Sequence, residues 1–284
     1  MKGIDTTRPE RGGERAPMTA HGITHKGKRS TNEDRHLVRE DLGLAILADG
    51  FSGGDAGDLA ATLTVDQILR CFDGGTEQTL PELPASLVPF GLAPATVGFA
   101  FDLAHRHVRK TARARDAREM RAAAGLLLFA GPRVVVAAAG CVCAYRLRRD
   151  RLERMAGTHE PPTEARYPLG GTAPILSLHL RSPEVAAAPA TWGHGPGVVA
   201  RVEAWCPGDV YLLASKGLHE VLGEDAILSA LTPFPGVAAR AAALLGATLH
   251  ARATDDVTIV VASPRTACTP GTPGHHLAPK RSEP

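Results

Sequence analysis

Aromatic side chains are scarce in this chain of 284 residues, at 4% of the total, so any core must be built mainly from Ala, Val, Leu and Ile. Cysteine is sparse too. Cys71, Cys141, Cys143, Cys206 and Cys268 form an odd set without a C-x-x-C pair, which argues against both a disulfide framework and a zinc ribbon. Cys141 and Cys143 alternate as on one face of a strand and read as two buried thiols. A reducing, cytoplasmic setting is the expectation. No apolar run is long enough to cross a bilayer: the longest, 122–145, is broken by Gly131, Pro132 and Arg133 into two strand-length halves. Residues 1–20 lack the apolar stretch of a signal peptide. Excess charge is missing as well, because a net charge of +2 argues for neither a nucleic-acid nor a membrane partner. No P-loop, dinucleotide fingerprint or G-x-S-x-G elbow is present.

What remains is ordinary for a soluble globular protein: 44% hydrophobic and 22% charged residues. The ends, 1–20 and 264–284, carry Pro, Gly, Thr and charge without apolar periodicity and are expected to be disordered tails around one domain at 21–263. Strands are predicted at 36–39, 42–48, 125–130, 134–139, 144–148, 152–155, 210–215 and 257–262. Helices are predicted from about 55 through Phe72, at 95–120, at 225–231 and at 237–250. A Pro-rich loop is expected at 73–94, and 157–200 is loop-rich with no predictable conformation. Strand runs separated by helix blocks suggest two stacked sheets flanked by helices, an α+β architecture.

Acidic residues recur at strand ends: Glu33 and Asp34 before one strand, Asp49 at the close of the next, Asp255 and Asp256 before the last. Asp49 is the most telling, since it follows the apolar run 44–47 and precedes the glycines Gly50, Gly53 and Gly54. A carboxylate there can be aimed into a cleft while the backbone closes on a ligand. Carboxylate and carbonyl oxygens suit Mg²⁺ or Mn²⁺, and two such ions can activate water and clamp a phosphoryl group. From these residues taken by themselves, turn-forming and capping aspartates are the plainer reading.

The segment 27–35, Gly-Lys-Arg-Ser-Thr-Asn-Glu-Asp-Arg, resembles the opening motif of the type-2C (PPM) serine/threonine phosphatases. Residues 48–54 look like their Asp-Gly-x-Gly-Gly motif, 212–218 like Ser-Asp-Gly-Leu, and 255–260 like the closing Asp-Asn-x-Thr strand. Each is weak alone, but the four stand in order across 21–262. The resemblance implies a four-layer α-β-β-α sandwich of two antiparallel sheets flanked by helices. It implies Mg- or Mn-dependent hydrolysis of phosphoserine or phosphothreonine. Arg29 would bind phosphate, as its planar fork suits, and Asp49 would bridge the metals. Glu33 and the Gly50 carbonyl would complete one metal site, and Asp255 would serve the other.

The departures from the family pattern fall on the chemistry. Lys216 stands where the family has an aspartate ligand, and Cys141 where it has another acid. Asp256 replaces an Asn, Phe51 and Ser52 alter the glycine motif, and 120–123 only loosely match Met-Gly-Thr-Thr. Two unit charges about 4 Å apart interact by roughly 4 kcal/mol at an effective dielectric of 20, and a divalent ion doubles that. An ammonium at position 216 therefore opposes the metal shared with Asp255, and at most one ion is expected with appreciable affinity. The ammonium is instead expected among Asp49 and Asp255. The resulting expectation is a pseudophosphatase with low or absent activity that binds a phosphoprotein or regulatory protein in signalling. The alternative is an active phosphatase using one ion or an atypically liganded metal pair.

A basic run follows from His105 to Arg121, with Arg106, Arg109, Lys110 and Arg113 along it. It could grip an acidic partner or nucleic acid. In a near-neutral chain a solvated helix face is the plainer reading.

Overall fold

The computed structural model describes residues 18–52, 56–73, 92–157, 179–180 and 198–265. Its strands are β1 (Met18–His25), β2 (Asp34–Arg39), β3 (Leu44–Phe51), β4 (Arg121–Ala130), β5 (Arg133–Ala139), β6 (Cys143–Arg148), β7 (Arg151–Ala156), β8 (His179–Leu180), β9 (Val198–Ala204), β10 (Val210–Ala214) and β11 (Val257–Pro264). Its α-helices are α1 (Gly57–Arg70), α2 (Leu92–Ala114), α3 (Lys216–His219), α4 (Glu224–Leu231) and α5 (Val237–His250).

Two sheets form, in the orders β1-β11-β10-β6-β7 and β2-β3-β4-β5-β9-β8. All pairings are antiparallel except that of the two-residue β8 with β9. The central strands read as unbroken apolar runs because both of their faces are buried. Leu44, Ile46 and Ala48 of β3 pack towards α1 and α2, whereas Ala45 and Leu47 pack towards the other sheet. In β10, Tyr211 and Leu213 face between the sheets, and Val210, Leu212 and Ala214 face the helix side with Leu231 and Leu244. Three apolar layers thus separate four layers of structure, the expected α-β-β-α sandwich. With few aromatics available, a single edge-to-face pair, Phe129 and Tyr211 at 5.5 Å, joins the sheets among the described residues.

Several boundaries differ from expectation. Met18–His25 is a full strand paired along its length with β11, so residues 18–20 belong to the sheet and not to a tail. Val198–Ala204 is likewise a strand inside and just beyond the expected 157–200 loop. α2 ends at Ala114, short of 120, where Asp116 adopts a left-handed conformation (φ 51°). β4 then starts at Arg121, so Ala122, Ala123 and Ala124 are in a strand despite their helix propensity, because β3 offers them backbone partners. Most of the expected tails, of the 73–94 loop and of 157–200, with Gly53, Gly54, Asp55 and Cys268, lie outside the described residues.

Candidate active site

One end of the sandwich gathers the acidic residues. β2 and β3 pair in a register that sets Asp34 opposite Asp49. Just before β2, the Glu33 carbonyl accepts the Gly50 N–H at 3.2 Å, and the Glu33 N–H donates to Asp256 Oδ2 at 2.8 Å. The backbone is so close here that a Cβ on Gly50 would lie 2.0 Å from the Gly57 carbonyl oxygen, which is why the position is glycine. On the other sheet, the Thr258 N–H donates to Ser215 Oγ at 2.8 Å as the chain turns from β10 into α3.

The structure brings Arg29, Glu33, Asp49, Gly50, Asp255, Lys216 and Cys141 to this one place, and the carboxylates meet protein cations. Arg29 Nη2 lies 3.2 Å from Glu33 Oε2, and its Nε lies 3.3 Å from Asp255 Oδ1. Lys216 Nζ is 3.6 Å from Asp255 Oδ2 and 3.6 Å from Glu220 Oε2. Burial works against the ammonium, but Glu220 and Asp255 outweigh it and hold Lys216 charged beyond the usual lysine range. Asp49 meets Lys216 through the backbone: the Lys216 N–H donates to Asp49 Oδ2 at 3.2 Å. The Cys141 thiol points at the same oxygen from 3.7 Å. Burial first, and then the Asp49 charge, keep that thiol protonated.

Lys216 reaches the cluster because it opens a helix. Ser215 ends the extended run, with ψ 169°, and Lys216 begins α3. Cys141 and Cys143 do not share a strand face, since β6 begins at Cys143 and Cys141 precedes it.

Two members of the cluster had no assigned role in the sequence. Asp34 is 1% exposed, and neither of its carboxyl oxygens has a hydrogen-bond partner among the described residues. The hydroxyls of Thr258 and Ser215 lie by it and also meet other groups, Thr258 Oγ1 with Thr24 Oγ1 at 2.6 Å and Ser215 Oγ with the Asp256 carbonyl at 3.4 Å. Burial, only partly offset by those hydroxyls, pushes Asp34 up to about 6. Burial and then Asp34 raise Asp49 well above the carboxylate range, against the Lys216 N–H. Asp256 is raised by burial too, and its Oδ1 is unpartnered among the described residues. The signal in the sequence was the doublets: at a strand start, neighbouring acids must point to opposite sides. Ser52, which donates to Glu33 Oε1 at 3.1 Å, is a further member.

Of the five carboxyl groups gathered here, Glu33 and Asp255 pair with the two cations. Among the described residues, no group of three or more His, Cys, Asp or Glu side chains is arranged to hold a metal ion. Glu33 and Asp255 turn to Arg29 and Lys216, and Asp49 turns to a backbone N–H. In this arrangement the donor set does not fit a pair of divalent ions.

The chain matches no protein-family model and no curated protein sequence. Solved structures do resemble it. The Mycobacterium tuberculosis serine/threonine phosphatase PstP/Ppp is 25% identical with a TM-score of 0.67, over 88% of this chain and 99% of that one. The catalytic domain of PstP in complex with two manganese ions is 24% identical with a TM-score of 0.63, over 87% and 97%. PppA, described as a key regulatory component of the T6SS in Pseudomonas aeruginosa, is 24% identical with a TM-score of 0.65, over 88% and 99%. The fold is that of the PPM-type serine/threonine phosphatases.

Proposed function

We propose that this chain is a PPM-type phosphatase-fold protein in which Arg29 and Lys216 take the place of metal charge, and that it acts by binding a phosphoprotein or regulatory protein partner with low or absent hydrolysis. The observation that carries this reading is the Lys216 ammonium against Asp255, with Arg29 bridging Asp255 and Glu33. Each cation neutralises a carboxylate that a divalent ion would need. An ammonium beside the ion would cost several kcal/mol even after screening, which is several decades of affinity. Such a centre lacks the metal-held water that hydrolysis on this fold needs. PppA, a regulatory component by its description, lends support to a role through partners. A cytoplasmic setting belongs to the same reading, supported by the free thiols of Cys71, Cys141, Cys143 and Cys206 among the described residues. No helix among the described residues is long and apolar enough to cross a membrane.

A second reading is an active phosphatase using a single Mg²⁺ or Mn²⁺, favoured by the unpartnered oxygens of Asp34 and Asp256 beside the site. Glu33, Asp49 and the Gly50 carbonyl would hold the ion, which would supply the charge that orients a phosphate. Arg29 would have to release Glu33 for this to occur.

Hydrolysis of p-nitrophenyl phosphate and of a phosphothreonine peptide across Mn²⁺ and Mg²⁺ titrations separates the two. The first reading expects no turnover above an Asp49→Ala control and recovery on Lys216→Asp. Metal-dependent turnover in the unmodified protein, abolished by Asp49→Ala, would overturn it in favour of the second.

A further inference from the structure

Helix α2 buries Phe101, Ala104 and Val108. Arg106, Arg109, Lys110 and Arg113 recur at i, i+3, i+4 and i+7 and so form one stripe, about 10 Å long at about 1.5 Å per residue. With Ala114 they line an open concavity of about 510 Å³. Arg106 pairs with Asp102 at 2.7 Å, and Asp102 is the sole acid of α2. Arg109, Lys110 and Arg113 have no ion-pair partner among the described residues. Just beyond the stripe Arg115 has no ion-pair partner among the described residues either, whereas Arg118 lies 3.5 Å from Asp116 and Arg121 lies 3.6 Å from Glu119. Uncompensated charge thus runs from Arg109 to Arg115, and three of its four cations, Arg109, Lys110 and Arg113, line the concavity. Like charges three and four residues apart destabilise a helix, so folding does not ask for this arrangement.

We propose that this concavity is a docking site for an acidic protein segment, a run of Asp and Glu side chains on a partner. Charge complementarity sets the chemistry, and guanidinium forks match carboxylates in pairs. Nucleic acid fits less well. None of the five lining residues is aromatic, so there is no platform on which bases would stack. A duplex would need a broad basic surface, and the whole chain carries only +2. The site includes none of the carboxylate-centre residues, so it goes beyond the proposed function and holds whether or not that centre hydrolyses phosphate.

The test uses the full chain and a fluorescent octaglutamate peptide, read by polarisation at low salt, with an octaglutamine peptide as control. Binding should be specific to octaglutamate and weaken steeply with salt. Lys110→Glu/Arg113→Glu should weaken it by about tenfold or more, and Arg151→Glu, an exposed change elsewhere, by less than about twofold. Should the double reversal unfold the chain, Lys110→Gln/Arg113→Gln at the same exposed positions must still weaken binding severalfold. No octaglutamate binding, equal losses in the α2 and Arg151 variants, or tighter binding of a single-stranded oligonucleotide would each overturn the proposal.

Discussion

Each acidic doublet splits its duties by direction. Glu33 and Asp255 face Arg29, while Asp34 and Asp256 turn inward and lose solvent. Asp34 carries the clearest consequence. Its folded pKa of about 6 lies above the 3.8 of the free group, so its contribution to stability is fully present below pH 4 and is lost as pH rises through 6. Removing that charge in Asp34→Asn should stabilise the protein at pH 7.5, by up to the order of 3 kcal/mol, and much less at pH 4.5. Urea denaturation at the two pH values checks this, and an equal effect at both would contradict it. The buried Cys141 thiol makes a second prediction. With burial and Asp49 keeping it protonated, iodoacetamide at pH 8 should alkylate the exposed Cys206 well before Cys141, as read by peptide mass mapping.

At the scale of elements, the centre depends on where strands stop. Asp49 belongs to the last part of β3, and Ser215 breaks β10 so that α3 can present both the Lys216 backbone N–H and its ammonium. Gly217 permits that turn to sit on β11: a Cβ there would lie 2.0 Å from the Asp256 carbonyl oxygen. Gly217→Ala should destabilise the fold by about 1–3 kcal/mol, through backbone overpacking, and disturb the Lys216–Asp49 contact. Unchanged thermal unfolding would contradict that packing. Such junctions explain what was legible in the sequence. β10, α4, α5 and β11 were readable because apolar periodicity sets them locally. β1 was not, since Thr19, His21 and Gly22 give it little pattern and its strand form comes from β11. The order of motifs singled out the candidate residues, and charge alone pointed the Lys216 ammonium at Asp49 and Asp255, of which it pairs with Asp255 while its second partner is Glu220. The backbone contact to Asp49 depends on the turn at Ser215, and the thiol contact depends on the chain before β6, neither of which periodicity encodes.

On the scale of the whole molecule, the two sheets hold opposite halves of one centre. Asp34 and Asp49 come from the β2-β3 edge of one sheet, whereas Asp255 and Asp256 lie just before β11 of the other and Lys216 opens α3 just after its β10. Their distance from one another is set by the apolar layer between the sheets, where Leu47, Leu127, Phe129, Tyr211 and Leu213 pack. A scaffold this well buried can keep a charge cluster in place without metal, provided the cations are built in. The α2 stripe lies in the outer helix layer over the second sheet, built from residues separate from the centre, so partner docking and the state of the centre can vary independently. The decisive point is whether Lys216 occupies the place of a metal charge. Calorimetric titration of the unmodified protein and of Lys216→Asp with Mn²⁺ tests this directly. The account predicts at most one weak site in the unmodified protein and a gain of about a hundredfold or more in Mn²⁺ affinity on Lys216→Asp. Two Mn²⁺ ions bound per unmodified chain, as tightly as in the variant, would contradict it.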